Sequence, residues 1–281
     1  MEWVLPLRHE ALTPIFLALT TLGDTLFYLI ALSIAYWLGD RPAFRRVTVM
    51  VAITAMLNSW LKLYFAVPRP NEIPWLAEAD GYSFPSGHAQ SAAVAWIWLA
   101  CEFRRRWLTI LAVLLIAGIA ASRVYLGVHT PADIAAGILI GGLTVALAWR
   151  WAHQPPEAWQ KLPPALRFAG WTAAIALFFV TCPGPPDHIA VVGAGALLGF
   201  QLGTWLEKDR GLPIHAGWAK KTAAVALGLG VALAIRIGGK IFLAETPLPV
   251  EAADFLRYFL IALWVVWLAP RSFRWLGLAP A

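Results

Sequence analysis

The residues of this sequence best suited to chemistry are two histidines, His88 and His129, which stand in polar stretches of an otherwise apolar chain. A neutral imidazole can serve as nucleophile or base near pH 7. Asp133 follows His129 by four residues, so its carboxylate could accept from one ring nitrogen and leave the other free to react. Thr130, Pro131 and Asp133 also match the N-cap, first position and capping-box acid of a helix. At this point Asp133 has both a catalytic and a structural interpretation.

Three basic residues lie at the ends of apolar segments, where a cation is costly unless it is used. Lys62 and Arg69 are seven residues apart, and Pro68 and Pro70 predict that the helix carrying Lys62 ends before Arg69. Arg123 closes another apolar helix. A snorkelling lysine and an interfacial arginine are the structural alternative for the first pair.

The sequence Pro85, Ser86, Gly87, His88 opens the apolar segment that follows. Ser86 can cap a helix, and Gly87 lets an anion approach the free amide groups of its first turn. The same pattern also begins many helices that bind nothing. Together with the three cations, Ser86 and these amides could enclose a phosphate, to which arginine binds in bidentate fashion. The chain has no carboxylate cluster suited to Mg²⁺, so we expect neither a metal nor another cofactor.

The composition defines the solvent in which these residues must be positioned. Of 281 residues, 60% are hydrophobic and 14% are charged, and the mean hydropathy is +0.67. A soluble fold of this size needs a more highly charged surface, and the 16 tryptophans are typical of membrane interfaces. We therefore predict an all-α, polytopic transmembrane helix bundle. The net charge of +6 is interpreted as membrane topology, and no nucleic-acid partner is expected.

Apolar runs of about 20 residues predict about nine membrane helices, with a range of eight to ten. Five of them surround the polar groups and four form a C-terminal extension. We place a catalytic core at 1–150, with motifs at 62–70, 85–88 and 122–133, and an extension of unknown role at 151–281; linkers at 150–167 and 207–219 separate the two sets of helices. The predicted spans are 24–39, 47–66, 88–102, 107–122, 131–149, 168–182, 188–206, 222–243 and 252–269.

The distribution of basic residues predicts which ends of the helices face outward. With nine helices, seven of the 22 Lys and Arg residues fall on one side, and the positive-inside rule makes that side the outer one. All three polar groups then lie at the outer face. We expect a plasma membrane protein, a bacterial inner membrane protein by preference, with Asp24 capping the first span after a retained N-terminal segment. The seven outer residues are Arg8, Lys62, Arg69, Arg123, Arg236, Lys240 and Arg257.

The three polar groups together resemble the signature of the type 2 phosphatidic acid phosphatase superfamily, in its membrane-embedded lipid phosphate phosphatase branch. The resemblance implies metal-independent hydrolysis of a lipid phosphomonoester or diphosphate. It implies that His129 attacks phosphorus and forms a phosphohistidine, that Asp133 orients His129, and that His88 protonates the leaving oxygen. Phosphatidate and undecaprenyl phosphate are among the substrates it allows. All eleven signature positions match: Lys62, Arg69, Pro70, Pro85, Ser86, Gly87, His88, Ser122, Arg123, His129 and Asp133.

Two other functions are compatible with the same residues. A transporter or lipid-binding protein could hold an anionic headgroup without chemistry, and a lipid diphosphate phosphotransferase could pass the phosphoryl group to another acceptor. Two histidines with Asp133 favour an enzyme. The sequence leaves the lipid and the oligomeric state open. Charged residues near the last two helices fit a transport path or, preferably, structural ion pairs: Arg236, Lys240, Glu245, Glu251, Asp254 and Arg257.

Overall fold

The computed structural model describes residues 1–207 and 217–279, and most of the predicted linker 207–219 lies outside these ranges. The described residues form twelve α-helices and no strand, which confirms the all-α prediction. A 3₁₀ helix, Glu2–Leu7, precedes them, and a π-helical stretch, Trp264–Leu268, joins α11 to α12. The helices are α1 Thr13–Thr21, α2 Thr25–Leu38, α3 Arg41–Phe65, α4 Gly87–Phe103, α5 Arg106–Tyr125, α6 Pro131–His153, α7 Glu157–Lys161, α8 Pro164–Thr181, α9 His188–Glu207, α10 Trp218–Ala244, α11 Val250–Leu263 and α12 Ala269–Trp275.

Each of the nine predicted membrane segments coincides with a helix. Seven helices of the described chain are long and apolar enough to cross a membrane, or eight if the bent pair α1 and α2 forms one span. The two predicted spans outside the seven are α2, which is long enough only together with α1, and α4, which has 17 residues. The chain is an integral membrane protein.

The chain forms two compact units that interleave along the sequence. Unit 1 comprises residues 1–28, 54–155 and 182–187, and unit 2 comprises 29–53, 156–181 and the described residues from 188 onward. The predicted boundary at 150 therefore does not follow the packing, because residues 29–53 belong to unit 2. Whether catalysis requires only residues 1–150 stays a prediction about function.

Unit 1 brings the polar groups together through close helix packing. Helix α4 packs against both α5 and α6, and α1 packs against α5. Gly137 and Gly141 make the approach of α6 to α4 possible, since a Cβ atom on Gly137 would lie 2.7 Å from the Ser86 carbonyl oxygen and one on Gly141 2.7 Å from Ala93 Cβ. Small residues at such contacts are typical of membrane helix pairs. The result is that the N-terminal ends of α4 and α6 adjoin.

A buried polar network fixes α3 against the start of α4. The Asn58 amide nitrogen donates to the Pro85 carbonyl at 3.1 Å and to Gln90 Oε1 at 2.8 Å. Gln90 in turn donates to Thr54 Oγ1 at 2.9 Å. Buried amides need such partners, so this network specifies one register of α3 relative to α4. It also sets the position of Lys62, one helical turn beyond Asn58.

Unit 2 is held mainly by apolar packing. Its core gathers large buried side chains, among them Trp37 and Phe273, and the Trp37 indole donates to the Val265 carbonyl at 2.8 Å. Gly195 and Gly199 place α9 directly against the backbone of α11. The charged residues near the last helices include an Asp254–Arg257 ion pair within α11, and Asp254 also pairs with His188 of α9 at 2.6 Å.

Candidate active site

The three polar groups meet at one end of the unit 1 helices. Lys62 and Arg123 lie in the last turns of α3 and α5, whereas Ser86 and Asp133 lie at the starts of α4 and α6. The Ser86 backbone amide donates to the Asp133 carbonyl oxygen at 3.1 Å, which joins the second and third groups directly. Arg69 joins the first group to the third through contacts described below.

His129 is almost completely buried, with 1% of its surface exposed, and both of its ring nitrogens have partners. Nε2 lies 3.2 Å from Arg69 Nη1, and Nδ1 lies 3.3 Å from Ser83 Oγ. Because a guanidinium only donates, Nε2 must accept and Nδ1 must carry the proton. Ser83 then accepts from Nδ1–H and donates to Asp133 Oδ2 at 2.5 Å. This chain of hydrogen bonds fixes the tautomer and leaves the Nε2 lone pair directed at a cation.

Burial also keeps this imidazole neutral. It lowers the pKa of His129 to about 3, the nearby Asp133 carboxylate opposes that shift only in part, and the positive charge of Arg69 adds to it. Loss of water around the ring penalises the charged form most. His129 therefore holds an unprotonated Nε2 throughout the neutral pH range.

Asp133 belongs both to the predicted capping box and to the hydrogen-bond chain of His129. Its Oδ2 accepts from the Thr130 amide at 2.7 Å, and Thr130 Oγ1 accepts from the Asp133 amide at 3.3 Å, which completes a capping box at the start of α6. The same oxygen lies 3.6 Å from His129 Nδ1, too far for a good hydrogen bond. Ser83 therefore bridges a gap that the predicted direct contact between Asp133 and His129 does not close.

Arg69 connects its own loop segment to residues 80–81 and to residue 128. Its guanidinium donates to the carbonyl oxygens of Gly81 at 3.1 Å, Asp80 at 2.6 Å and Val128 at 2.9 Å. With the contact to His129, four of its five N–H donors are engaged. Arg69 is thus a structural clamp as well as a candidate phosphate ligand, and its cation is oriented before any ligand binds.

Lys62 and Arg123 complete the cationic region. Arg123 is 4% exposed, and its Nη1 donates to Thr20 Oγ1 at 2.6 Å, whereas its Nε is buried with no hydrogen-bond partner among the described residues. Lys62 lies close enough to Arg69, Arg123 and Asp133 for their charges to interact. His88 and His129 both interact with the charges of Lys62 and Arg123. All three predicted cations therefore share one electrostatic environment with both histidines.

Ser86 is the N-cap of α4, but its side chain does not cap the helix. Within the part of the chain that the structure describes, its hydroxyl is buried without a hydrogen-bond partner. An orphaned buried hydroxyl is costly unless a ligand or water satisfies it. This hydroxyl and the first amides of α4 lie where the sequence predicted a phosphate cradle around Gly87, and that role stays a prediction.

His88 has a partner that the sequence analysis interpreted differently. Its Nε2 lies 2.9 Å from Asp24 Oδ1, so the Asp24 carboxylate pairs with His88 and the prediction that it simply caps a helix is incomplete. The sequence had indicated no role for Ser83 or Thr20. The available signal for Asp24 was an acid between two apolar runs; Ser83 and Thr20 are too common in such settings to be singled out.

The described residues contain no group of three His, Cys, Asp or Glu side chains that could hold a metal ion. Fold and site together define a class: a helical integral membrane protein with two imidazoles and three cations at one end of a helix bundle.

Comparison with known proteins assigns the family. A family model described as the PAP2 superfamily matches residues 43–156, and one described as the transmembrane extension of PAP2 superfamily phosphatases matches residues 191–281. The chain belongs to the PAP2 superfamily, as its motif signature predicted.

Individual relatives match over parts of their length. A dihydrosphingosine 1-phosphate phosphatase of Schizosaccharomyces pombe is 25% identical over 73% of this chain and 55% of its own. A lipid A 4'-phosphatase of Bacteroides thetaiotaomicron is 43% identical over 26% of this chain and 33% of its own. The chain thus spans about half or less of the length of these relatives. The crystal structure of a PAP2-type phosphatidylglycerolphosphate phosphatase from Bacillus subtilis matches with 24% identity and a TM-score of 0.48, over 56% of this chain and 84% of that one.

Proposed function

We propose that this protein hydrolyses a lipid phosphate without a metal ion. The observation that carries the proposal is the orientation of His129, whose unprotonated Nε2 faces the Arg69 guanidinium. A phosphate bound by Arg69 would bring its phosphorus next to the nitrogen best able to attack it. Family membership and the named activities of the relatives support the same class of reaction.

The proposed reaction has two steps. In the first, His129 Nε2 attacks phosphorus, the bond between phosphorus and the lipid oxygen breaks, and His88 gives that oxygen a proton. In the second, water attacks the phosphohistidine, His88 takes a proton from the water, and the bond between phosphorus and nitrogen breaks. Lys62, Arg69 and Arg123, with the Ser86 hydroxyl and the Gly87 amide, stabilise the charge on the phosphoryl oxygens in both steps.

Ser83 and Asp133 keep His129 in the reactive tautomer during this cycle. When Nε2 bonds to phosphorus, the ring gains positive charge, and the chain from Nδ1 through Ser83 to Asp133 stabilises it. Cations at fixed positions supply the stabilisation that other phosphoryl-transfer enzymes obtain from Mg²⁺.

We further propose that the substrate is a membrane lipid and that the site opens at the outer leaflet of a plasma membrane, a bacterial inner membrane by preference. The site lies at one end of the apolar helices of unit 1, beside which an acyl or prenyl chain could enter from the bilayer. The uneven distribution of basic residues supports the outward orientation.

The proposal is tested by inorganic phosphate release from purified protein in detergent with EDTA present. The panel is phosphatidate, phosphatidylglycerophosphate, a sphingoid 1-phosphate, and undecaprenyl phosphate and diphosphate. We expect release from at least one lipid at a rate that EDTA does not change. Absence of release from all of them, or loss of release with EDTA that Mg²⁺ restores, would contradict the proposal.

A further inference from the structure

The break between α1 and α2 lies beside the candidate site. Helix α1 ends at Thr21, α2 begins at Thr25, and the two helices are bent by 55° at this break. We call residues 20–24 the elbow. The elbow lies before residue 43, where the family match begins, and outside all three motifs.

Three residues of the elbow contact or adjoin two residues from different motifs. Asp24 Oδ1 lies 2.9 Å from His88 Nε2, and Thr20 Oγ1 accepts from Arg123 Nη1 at 2.6 Å. Gly23 lies against the His88 ring, since a Cβ atom there would lie 2.5 Å from His88 Cδ2. The elbow therefore contacts the edge of the His88 ring that carries Nε2 and Cδ2, and it also contacts the guanidinium of Arg123.

The pairing with Asp24 gives the two ring nitrogens of His88 different roles. A carboxylate accepts from Nε2–H, so Nδ1 is the nitrogen left to exchange a proton with the substrate. The carboxylate also stabilises the imidazolium form that a general acid must reach before it can donate. The Asp24 side chain is 47% exposed, whereas the Asp133 side chain, which serves the other histidine, is 4% exposed.

We propose that the elbow is part of the active site, with Asp24 as the positioning residue of the general acid His88 and Thr20 as the positioning residue of the phosphate ligand Arg123. The inference rests on the proposed function, because it assigns His88 a proton to donate. Gly23 is required at its position because any side chain would displace the His88 ring from Asp24.

The test uses two substrates that differ in their need for an acid. The alkoxide of an alkyl phosphate is a poor leaving group and requires protonation, whereas the nitrophenolate of nitrophenyl phosphate does not. Asp24→Asn should lower the kcat for a lipid alkyl monophosphate by about 10- to 100-fold, the effect of losing a hydrogen bond to a charged group. For nitrophenyl phosphate the rate of the first step, measured as the pre-steady-state burst of nitrophenol, should fall by less than about threefold. The matched control is Glu10→Gln, which removes an exposed carboxylate that precedes the elbow in the sequence.

A second variant reaches the same contact by another route. Gly23→Ala keeps the carboxylate but displaces the ring, so it should give the same substrate-selective loss if Asp24→Asn does not fold. Thr20→Val should raise the KM for both substrates by about tenfold, since Arg123 loses its neutral partner, and Thr20→Ser should restore it.

The outcomes separate this inference from the proposed function. If His88→Ala shows the selective loss but Asp24→Asn and Gly23→Ala match the wild type, the elbow has no catalytic role and the proposed function stands. Equal loss for both substrates in Asp24→Asn and Gly23→Ala would make the elbow merely structural and overturn the inference. A wild-type protein that hydrolyses neither substrate would overturn the proposed function first.

Discussion

The two histidines of the site have the same kind of partner in opposite surroundings. His129 is 1% exposed and reaches Asp133, a residue of its own motif, through Ser83. The side chain of His88 is 23% exposed and pairs directly with Asp24, which lies outside every motif. Unit 1 thus holds one imidazole fully buried and the other partly exposed.

This difference matches the chemistry proposed for each ring. A nucleophile forms a bond to phosphorus and needs one fixed orientation and an unprotonated nitrogen, which burial provides. A general acid and base must exchange protons with the leaving group and then with water, so it needs access. Burial therefore distinguishes the two roles better than residue type does.

The largest effect should come from removing the buried ring. His129→Ala should lower turnover of the best lipid substrate by ~10⁴-fold or more, because no other group can form the covalent intermediate. Labelled substrate quenched in denaturant should yield an acid-labile phosphohistidine from the wild type and none from the variant. A carrier without chemistry would yield none from either, and full activity in the variant would remove His129 from its assigned role.

A matched control exists at the other end of the same helices. His153 of α6 pairs with Glu102 of α4 at 3.1 Å, so it too is a histidine bound to a carboxylate. His153→Ala should leave turnover within about twofold of the wild type, because His153 lies away from the site and transfers no proton to the substrate.

The next largest effect should come from removing the imidazole of His88, which is partly exposed. His88→Ala should slow hydrolysis of a lipid monophosphate by about 10²- to 10⁴-fold, the usual worth of positioned proton transfer. With an activated aryl phosphate, the first step should survive and the second should not, so labelled phosphoenzyme should accumulate. If no label accumulates while the aryl phosphate is still consumed, His88 is not the base of the second step.

Sequence alone predicted the parts of this comparison that depend on local pattern. Apolar runs interrupted by proline and glycine located every long helix of the described residues, and the pattern of Thr130, Pro131 and Asp133 predicted a capping box that the structure contains. Ser83 and Asp24 were missed because each has an ordinary local explanation in a turn or helix end. Their partners lie 46 and 64 residues away, and such contacts follow from helix packing rather than from local pattern.

A smaller effect should follow from removing the bridge to Asp133. Ser83→Ala should lower kcat by about 10- to 100-fold with KM nearly unchanged, since a hydrogen bond to a charged group is worth about 1.5–3 kcal/mol. The double variant with Asp133→Asn should be scarcely slower than Asp133→Asn alone, because both changes break one chain. Additive losses would mean that Ser83 and Asp133 act on His129 separately.

The smallest effect is a pH dependence of stability to which the buried ring of His129 should contribute. Burial lowers the pKa of His129 from 6.5 to about 3, so the unfolded chain binds a proton at this residue in a pH range where the folded protein does not. Its contribution is complete above the unfolded pKa and is lost as the pH falls towards the folded one. At about pH 5.5 the loss should be about 1.4 kcal/mol, which corresponds to an unfolding midpoint lower by about 3 °C. Thermal unfolding at about pH 7.5 and 5.5 should show this additional decrease in the wild type and not in His129→Gln. An equal decrease in both would mean that His129 is protonated as easily in the folded protein as in the unfolded chain, and the contrast with His88 would then disappear.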